Sequence, residues 1–534
     1  MAIGSPALAG YSLAITRLNS RWLSRQFLYL HFPNKDYIPL AVSALQHITF
    51  RIDASGSLLP SLIVLPQNDR YWKVLAAAAK RTRQWSIPVA MNIVWVLIAF
   101  LLTIVDSFVD FDHFITTPGD AGYSIAAVWT YLLPLVVGWL HVGSQPDADH
   151  LHNALNDAHE IAYVATDSEP APATKVTGRC TRAIDPSTRH IDHVNADEKK
   201  TVPIFNYSRV LIWSQNAEHI LRAYERAATK AEHNITVHGG EWIGNDDGTI
   251  AAHDRIGSEA EVMQYCTEDP EVPVGPNPIY SPPQPSTTLT PQLLTPLTPD
   301  SAPPLSPEPS ANAFVTAGTY ASADVFAHRR FPTASSKYDE EAPPVEVQAV
   351  PEKPVIATEV FQRMIFATVL ALGLQWGATG ASILIQLNTP PKGFGCRSLT
   401  FTIYGVAATI AFWLLLISCL LSHSARRQSV RERRSGLKTL IGYIAALTRW
   451  LGKTIAIANG LGILLSCTMQ FAGVYDNCFC SSTIFGGSPS GLVSFLQDNI
   501  KGSEVYRYWI GGTILAFGVS SLYTFAIYVA TPMG

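Results

Sequence analysis

The fold of this chain is decided by stretches such as residues 401–421, which read FTIYGVAATIAFWLLLISCLL without one Asp, Glu, Lys, Arg or His. A helix of about 20 mainly apolar residues is long enough to cross the hydrocarbon core of a bilayer. Five further stretches share this length and apolar character, namely residues 87–105, 121–140, 364–387, 454–474 and 508–530. The sequence therefore predicts an all-α polytopic integral membrane protein with six transmembrane helices.

The composition of the whole chain agrees with this prediction. Of its 534 residues, 48% are hydrophobic and 15% are charged, whereas soluble domains carry roughly 25% charged residues. A soluble protein could bury one such helix, but not six. The formal net charge of -4 argues against a nucleic-acid-binding chain, and seven cysteines are too few for a disulfide scaffold.

Lysine and arginine flanking the spans predict the orientation of the chain. Residues 70–83 carry five of these cations and residues 426–438 carry six, while the loop 106–120 has none. Because basic loops stay on the cytosolic side, both termini and the long insertion between spans 2 and 3 are expected in the cytosol. The plasma membrane is favoured over internal membranes, and the lipid bilayer is the expected partner of the spans.

The spans divide the chain into predicted regions arranged two plus four around the insertion. In the cytosolic region between span 2 and the Pro-rich linker, amphipathic helices are expected at about residues 147–165 and 206–231. Ahead of span 5, Lys438, Arg449 and Lys453 form a stripe that is expected to face lipid phosphates, with a plain cytosolic extension of the span as the alternative. The regions are a cytosolic or interfacial N-terminal region (1–86), a transmembrane hairpin (87–140), a cytosolic helical region (141–266), a Pro-rich disordered linker (267–360), a bundle of spans 3–6 (361–531) and a cytosolic tail (532–534).

The linker carries the clearest interaction signals. Residues 270–310 hold 14 prolines in 41 positions, a density that prevents helix and sheet. PxxP spacing and Ser/Thr-Pro pairs predict docking of SH3-like modules or proline-directed kinases, with a plain soluble spacer as the alternative. The expected phosphorylation sites are Ser281, Thr290, Thr295, Thr298 and Ser306.

Signals for chemistry are sparse in this sequence, and no catalytic, cofactor-binding or metal-binding residue is predicted. The predicted outer loops hold Cys396, Cys478 and Cys480, of which Cys396 is expected to pair with one of the other two. Small residues recur at four-residue steps in span 3 and again, at Ala458 and Gly462, in span 5, which predicts close helix packing within the chain or between copies in an oligomer.

The text around spans 3 and 4 supports a resemblance. The stretches QWGATGAS (residues 375–382) and GFGCRS (residues 393–398) are its most specific parts. With the flanks of spans 1 and 2, they resemble a family of uncharacterised multi-span membrane proteins of filamentous fungi. The resemblance implies topology only, and it transfers no functional residue.

Three functions remain open from the sequence. The leading hypothesis is a non-enzymatic scaffold or sensor-like membrane protein whose Pro-rich insertion is a cytosolic tether. A facilitator or channel for a neutral solute is the first alternative, with a path lined by Gln375, Gln386, Asn459 and Gln470. The second alternative is a membrane enzyme with a cytosolic site around His150, His152 and His159.

Overall fold

The computed structural model describes most of the chain outside the Pro-rich insertion. All described residues belong to one compact unit. The predicted first span lies outside them, apart from Val94 and Ile98, and so does the segment 270–357. The described residues are 1–52, 57–79, 94, 98, 119–142, 148–176, 183–185, 197–200, 202–245, 249–269, 358–389, 394–429, 436–475 and 502–528.

Helix dominates the described residues, which confirms the all-α prediction at this level. Short 3₁₀ turns at Trp129–Tyr131 and Pro203–Ser208 connect some of the helices. Two antiparallel pairs of two-residue strands also occur there, β1 (Arg51–Ile52) with β4 (Ile184–Asp185) and β2 (Tyr163–Val164) with β3 (Ala171–Pro172). The α-helices described are α1 (Pro6–Leu28), α2 (Tyr37–Ala44), α3 (Leu58–Val64), α4 (Asp69–Ala79), α5 (Gly119–Val128), α6 (Leu132–Val142), α7 (Ala148–Glu160), α8 (Val210–Glu232), α9 (Glu259–Thr267), α10 (Thr358–Asn388), α11 (Cys396–Ser429), α12 (Gly436–Phe471) and α13 (Gly502–Tyr528).

Four helices among the described residues are long and apolar enough to cross a membrane, so the protein is an integral membrane protein. They are Thr358–Asn388, Cys396–Ala425, Leu440–Phe471 and Arg507–Tyr528, and they contain most of the predicted spans 3–6. The predicted second span is divided into α5 and α6 by a 3₁₀ turn, and its apolar part, Ser124–Trp139, is shorter than these four.

The first hydrophobic core lies in a helical domain, which we define as residues 18–79, 148–185 and 212–269. Residues from the predicted regions 1–86 and 141–266 share this core. The predicted stripes are buried there, including Leu151 and Leu155 on α7 and Trp213 and Tyr224 on α8. Burial of these apolar stripes stabilises the helices, because short amphipathic helices gain most of their stability from packing. α8 packs mainly against α3 and α9.

The second core lies in a bundle formed by the first half of α1 together with α5, α6 and α10–α13. α10 is its centre and contacts α1, α11, α13 and α5. One small-residue position explains the close approach of α10 and α13. A Cβ atom at Gly377 would lie 2.6 Å from Val519, so only glycine fits there.

α1 belongs to both cores. Its first half, including Tyr11 and Ile15, is buried in the bundle, whereas Leu23 and Phe27 are buried in the helical domain. A helix of 23 residues is about 35 Å long, which is enough to reach from one core into the other. α1 therefore joins the membrane bundle to the helical domain as one continuous element.

Candidate functional site at the junction of the two cores

The bundle holds the start of α1 through hydrogen bonds to its backbone. Tyr404 Oη donates to the carbonyl of Ile3 over 2.6 Å, and Tyr523 Oη donates to the carbonyl of Gly10 over 2.7 Å. Ser5 Oγ donates to the carbonyl of Ala408 over 3.2 Å. The first N–H groups of a helix have no partner within that helix. Within a membrane such groups must be satisfied by protein, and in α1 the N–H of Ala7 is bonded to Gln375 of the bundle.

Two of the four amides considered for a solute path contact the start of α1. Gln375 Oε1 accepts a hydrogen bond from the backbone N–H of Ala7 over 3.1 Å, and its Nε2 donates to the carbonyl of Gly405 and to Thr409 Oγ1. Asn459 Nδ2 donates to the carbonyl of Gly4 over 2.8 Å. These two side chains are therefore structural partners of neighbouring backbone.

The other two candidate amides differ from each other. Gln386 Nε2 donates to Ser124 Oγ, which ties α10 to α5. The buried amide of Gln470 has no hydrogen-bond partner among the described residues. Three of the four amides thus hold elements of the bundle together.

The carboxylate of Asp197 is buried between α12 and the part of the chain that precedes α8. Asp197 is fully buried, with Lys453 Nζ against its Oδ1 and Arg449 Nε 3.8 Å from its Oδ2. Tyr207 Oη donates to the same Oδ2 over 2.7 Å. The prediction that Arg449 and Lys453 face lipid phosphates is therefore wrong, because Asp197 supplies the anion from within the protein. Arg449 also donates to Ser422 Oγ over 2.7 Å.

The 3₁₀ turn Pro203–Ser208 connects this ionic cluster to α1. Ser12 Oγ donates to the carbonyl of Ile204 over 2.8 Å, and Asn206 Nδ2 donates to Thr16 Oγ1 over 2.8 Å. Cys419 Sγ lies 3.2 Å from the carbonyl of Tyr207. The turn thus contacts both α1 and α11, and it forms the junction with Asp197 and its partners.

Two further titratable groups are buried on the helical-domain side of the junction. Arg209 donates from Nε to the carbonyl of Gln46 over 3.0 Å, and burial lowers its pKa to about 10. Burial, with the nearby charge of Arg209, lowers the pKa of His47 to about 4. Asn206 Nδ2 lies 3.4 Å from His47 Nδ1, and a neutral imidazole accepts this bond. His47 is therefore neutral in the folded protein at physiological pH.

The histidines considered for an enzymatic site lie on α7 in the helical domain. His150, His152 and His159 are partly exposed. Within the part of the chain that the structure describes, no group of three or more His, Cys, Asp or Glu side chains could hold a metal ion.

The cysteines occupy different environments. Cys396, at the first residue of α11, is disulfide-bonded, and its partner lies outside the described residues, as do Cys478 and Cys480. The expected pairing with one of these two stays a prediction. Cys266 is buried and free in the helical domain, and burial raises its pKa to about 12, which disfavours the reactive thiolate. The five expected phosphorylation sites also lie outside the described residues.

Asp197, Tyr207 and Arg209 are the residues of this junction that sequence reasoning did not find. One signal pointed to it, because Arg449 and Lys453 are spaced one helical turn apart on a helix whose only other charged residue is Lys438, near its start. Cations at that spacing are compatible with a lipid phosphate or with a buried acid, and the sequence does not say which. No family model, no curated protein and no solved structure matches this chain.

Proposed function

We propose that this protein is a non-enzymatic membrane scaffold whose helical domain is fixed to its membrane spans and whose Pro-rich segment recruits cytosolic partners. The observation that carries the proposal is the position of α1, which is buried in both cores. A helix shared in this way leaves little freedom for the domain to move against the membrane. In the sequence, the Pro-rich segment 270–310 follows directly after residue 269 of the helical domain.

The use of polar side chains at the junction supports a structural role. Gln375 and Asn459 hold the start of α1, while Asp197 holds two cations of α12. Polar groups in a membrane bundle often mark a transport or proton path. Here they are occupied by protein backbone and by each other, which favours a fixed assembly.

The proposed topology has six spans and places the C-terminus, the helical domain and the linker in the cytosol, with the plasma membrane as the favoured location. The expectation of a cytosolic N-terminus is modified, because the start of α1 enters the bundle from the cytosolic side and contacts Asn459. The disulfide-bonded Cys396 supports this orientation, because it lies at the end of α11 opposite the arginine-rich loop. Disulfides persist on the oxidising side of a membrane, and arginine-rich loops stay on the cytosolic side.

A pull-down from native membranes tests the recruiting function. The full chain is compared with a variant lacking residues 270–310, and the matched control lacks residues 311–351, a segment of equal length. The scaffold hypothesis expects SH3-like or kinase partners to be lost only from the first deletion. An unchanged set of partners in all three samples would contradict it. A further variant separates phosphorylation from PxxP docking, because it removes the phosphorylation sites and keeps the prolines. It carries alanine at Ser281, Thr290, Thr295, Thr298 and Ser306.

A further inference from the structure

α12 is longer than a bilayer requires. Its apolar part, Leu440–Phe471, has 32 residues and is about 48 Å long, against a hydrocarbon core of about 30 Å. The buried ion pair of Lys453 with Asp197 marks the edge of that core, because charged pairs are rarely placed within it. The 18 residues from 454 to 471 cover ~27 Å, which is close to the core thickness.

An exposed apolar face continues along α12 beyond this edge. Over about 18 Å outside the hydrocarbon core, six large apolar side chains are between 42% and 71% exposed. At ~200 Å² for each fully exposed side chain, they present on the order of 700 Å². The largest apolar patch on a typical soluble surface is ~300–600 Å². The six residues are Leu440, Tyr443, Ile444, Leu447, Trp450 and Leu451.

The exposed face has the spacing of a coiled coil. Nine exposed positions follow one another in alternating steps of four and three residues, and seven of them are large and apolar. The two threonines at these positions donate their hydroxyl groups within α12, to the carbonyls of Trp450 and Leu464. A sustained 3.5-residue repeat is the pattern that a second supercoiled helix covers. The positions are Tyr443, Leu447, Trp450, Thr454, Ile457, Leu461, Leu464, Thr468 and Phe471.

The small residues in span 5 lie on this same face. Ala458 and Gly462 are exposed, and no described atom lies within 4 Å of a Cβ built on Gly462. The corresponding motif in α10 is already used within the chain, where Gly377 packs against Val519. Small residues at four-residue spacing let two membrane helices approach closely. Among the described residues, the α12 motif is open to a partner at Gly462, whereas the α10 motif is covered at Gly377.

We infer that a second copy of this chain covers the exposed face of α12, through a parallel and symmetric pair of α12 helices. Two copies inserted with the same topology present identical heptad positions to each other, as a two-fold interface requires. Eleven large apolar residues are exposed along the whole face. Their combined area exceeds the ~800 Å² per partner of a standard interface.

The length of α13, compared with that of α12, favours a second copy of the chain as the partner of α12. The apolar part of α13, Arg507–Tyr528, has 22 residues and is about 33 Å long, so a bilayer is thick enough to cover its exposed face without a partner. Leu461 on α12 and Ile514 on α13 are 65% and 66% exposed. These two residues are therefore matched positions, of which only Leu461 lies on the proposed interface.

Cysteine cross-linking of the full chain in native membranes tests the inference. Leu447→Cys and Leu461→Cys are expected to give an oxidant-induced product of twice the 58.2 kDa chain mass, whereas Ile514→Cys and the wild-type chain are not. The inference would be overturned if neither α12 variant gave this product, or if Ile514→Cys gave it in equal yield. A cross-linked product with a different protein would also overturn the inference.

A charge variant gives a second readout. Leu447→Glu places two carboxylates together outside the hydrocarbon, and we expect the dimer in nanodiscs to weaken about tenfold or more by mass photometry. Leu28→Glu is the control, because Leu28 is similarly exposed in the helical domain. A wild-type monomer, or equal effects of the two variants, would overturn the inference.

Discussion

The side-chain carbonyl of Gln375 accepts a hydrogen bond from the backbone N–H of Ala7, a residue 368 positions away in the sequence. This bond closes the first turn of α1 inside the bundle, where water cannot do so. It also explains why a glutamine is placed at that depth in a span. The pair is the point at which the start of the chain becomes part of the membrane domain.

Gln375→Leu is expected to lower the free energy of unfolding by about 2 kcal/mol, because it leaves the Ala7 N–H buried without an acceptor. Denaturation of the purified protein in detergent measures this loss. Gln470→Leu is the matched control, since the Gln470 amide has no hydrogen-bond partner among the described residues. Equal losses in the two variants would refute a specific role for the bond to Ala7.

Gly4→Ala is expected to displace the start of α1. A Cβ atom at residue 4 would lie 1.6 Å from the carbonyl oxygen of Ala456 and 2.9 Å from the backbone nitrogen of Gly460, so backbone has to move. We expect a loss of about 2 kcal/mol or more. In Gly373→Ala, no described atom is within 4 Å of the new methyl group, and helix propensity favours alanine. We therefore expect the melting temperature of the protein to fall in Gly4→Ala and not in Gly373→Ala.

Asp197→Asn is expected to cost ~3 kcal/mol, because it leaves Lys453 and Arg449 beside a neutral side chain in a buried position. Adding Lys453→Met is expected to restore part of this loss. Glu218→Gln removes a more exposed ion pair with Arg222 and is expected to change stability by ~0.5 kcal/mol or less. Chemical denaturation of these three variants and of Lys453→Met alone measures the difference, and additive losses at residues 197 and 453 would speak against direct pairing.

The stability of the protein is expected to fall as the pH falls from 6.5 towards 4. In this range the unfolded chain protonates His47, whose ordinary pKa is 6.5, while the folded chain, with a pKa of about 4, keeps it neutral. Above pH 6.5 His47 causes no loss of stability, because both states are neutral there. As the pH falls to about 4, the loss in the free energy of unfolding grows to about 3 kcal/mol. His47→Gln is expected to flatten the profile of melting temperature against pH. The exposed His31→Gln is not, and a profile unaffected by either change would contradict the assignment.

Much of the helical architecture follows from local patterns. The charge-free runs predict the long helices α10–α13, and the stripe that contains Trp213 and Tyr224 predicts α8 and its buried face. Both patterns depend on residues close together in sequence, and burial of one continuous apolar surface decides them. The start of α12 is less clear from sequence, because the residues before residue 454 combine apolar and basic positions.

The junction depends on contacts that no local pattern contains. α1 begins at Pro6, two residues after Gly4, in a short apolar stretch, so a search for spans of about 20 residues passes over it. Its insertion is fixed by Gln375 and Asn459, each more than 350 residues away. Asp197 lies in a polar stretch, where nothing local distinguishes it from a solvated carboxylate.

A disulfide between Gly10→Cys and Ala371→Cys tests most directly whether α1 is inserted among the membrane helices. A Cβ atom at residue 10 lies 3.5 Å from the Cβ atom of Ala371, within the range for a disulfide. A protease site added to the segment 270–357 separates the two halves after cleavage. We predict that in native membranes the halves remain joined without reductant, and only in the double variant. Free halves, with the thiol introduced at residue 10 labelled by a membrane-impermeant maleimide, would show that α1 lies outside the bundle.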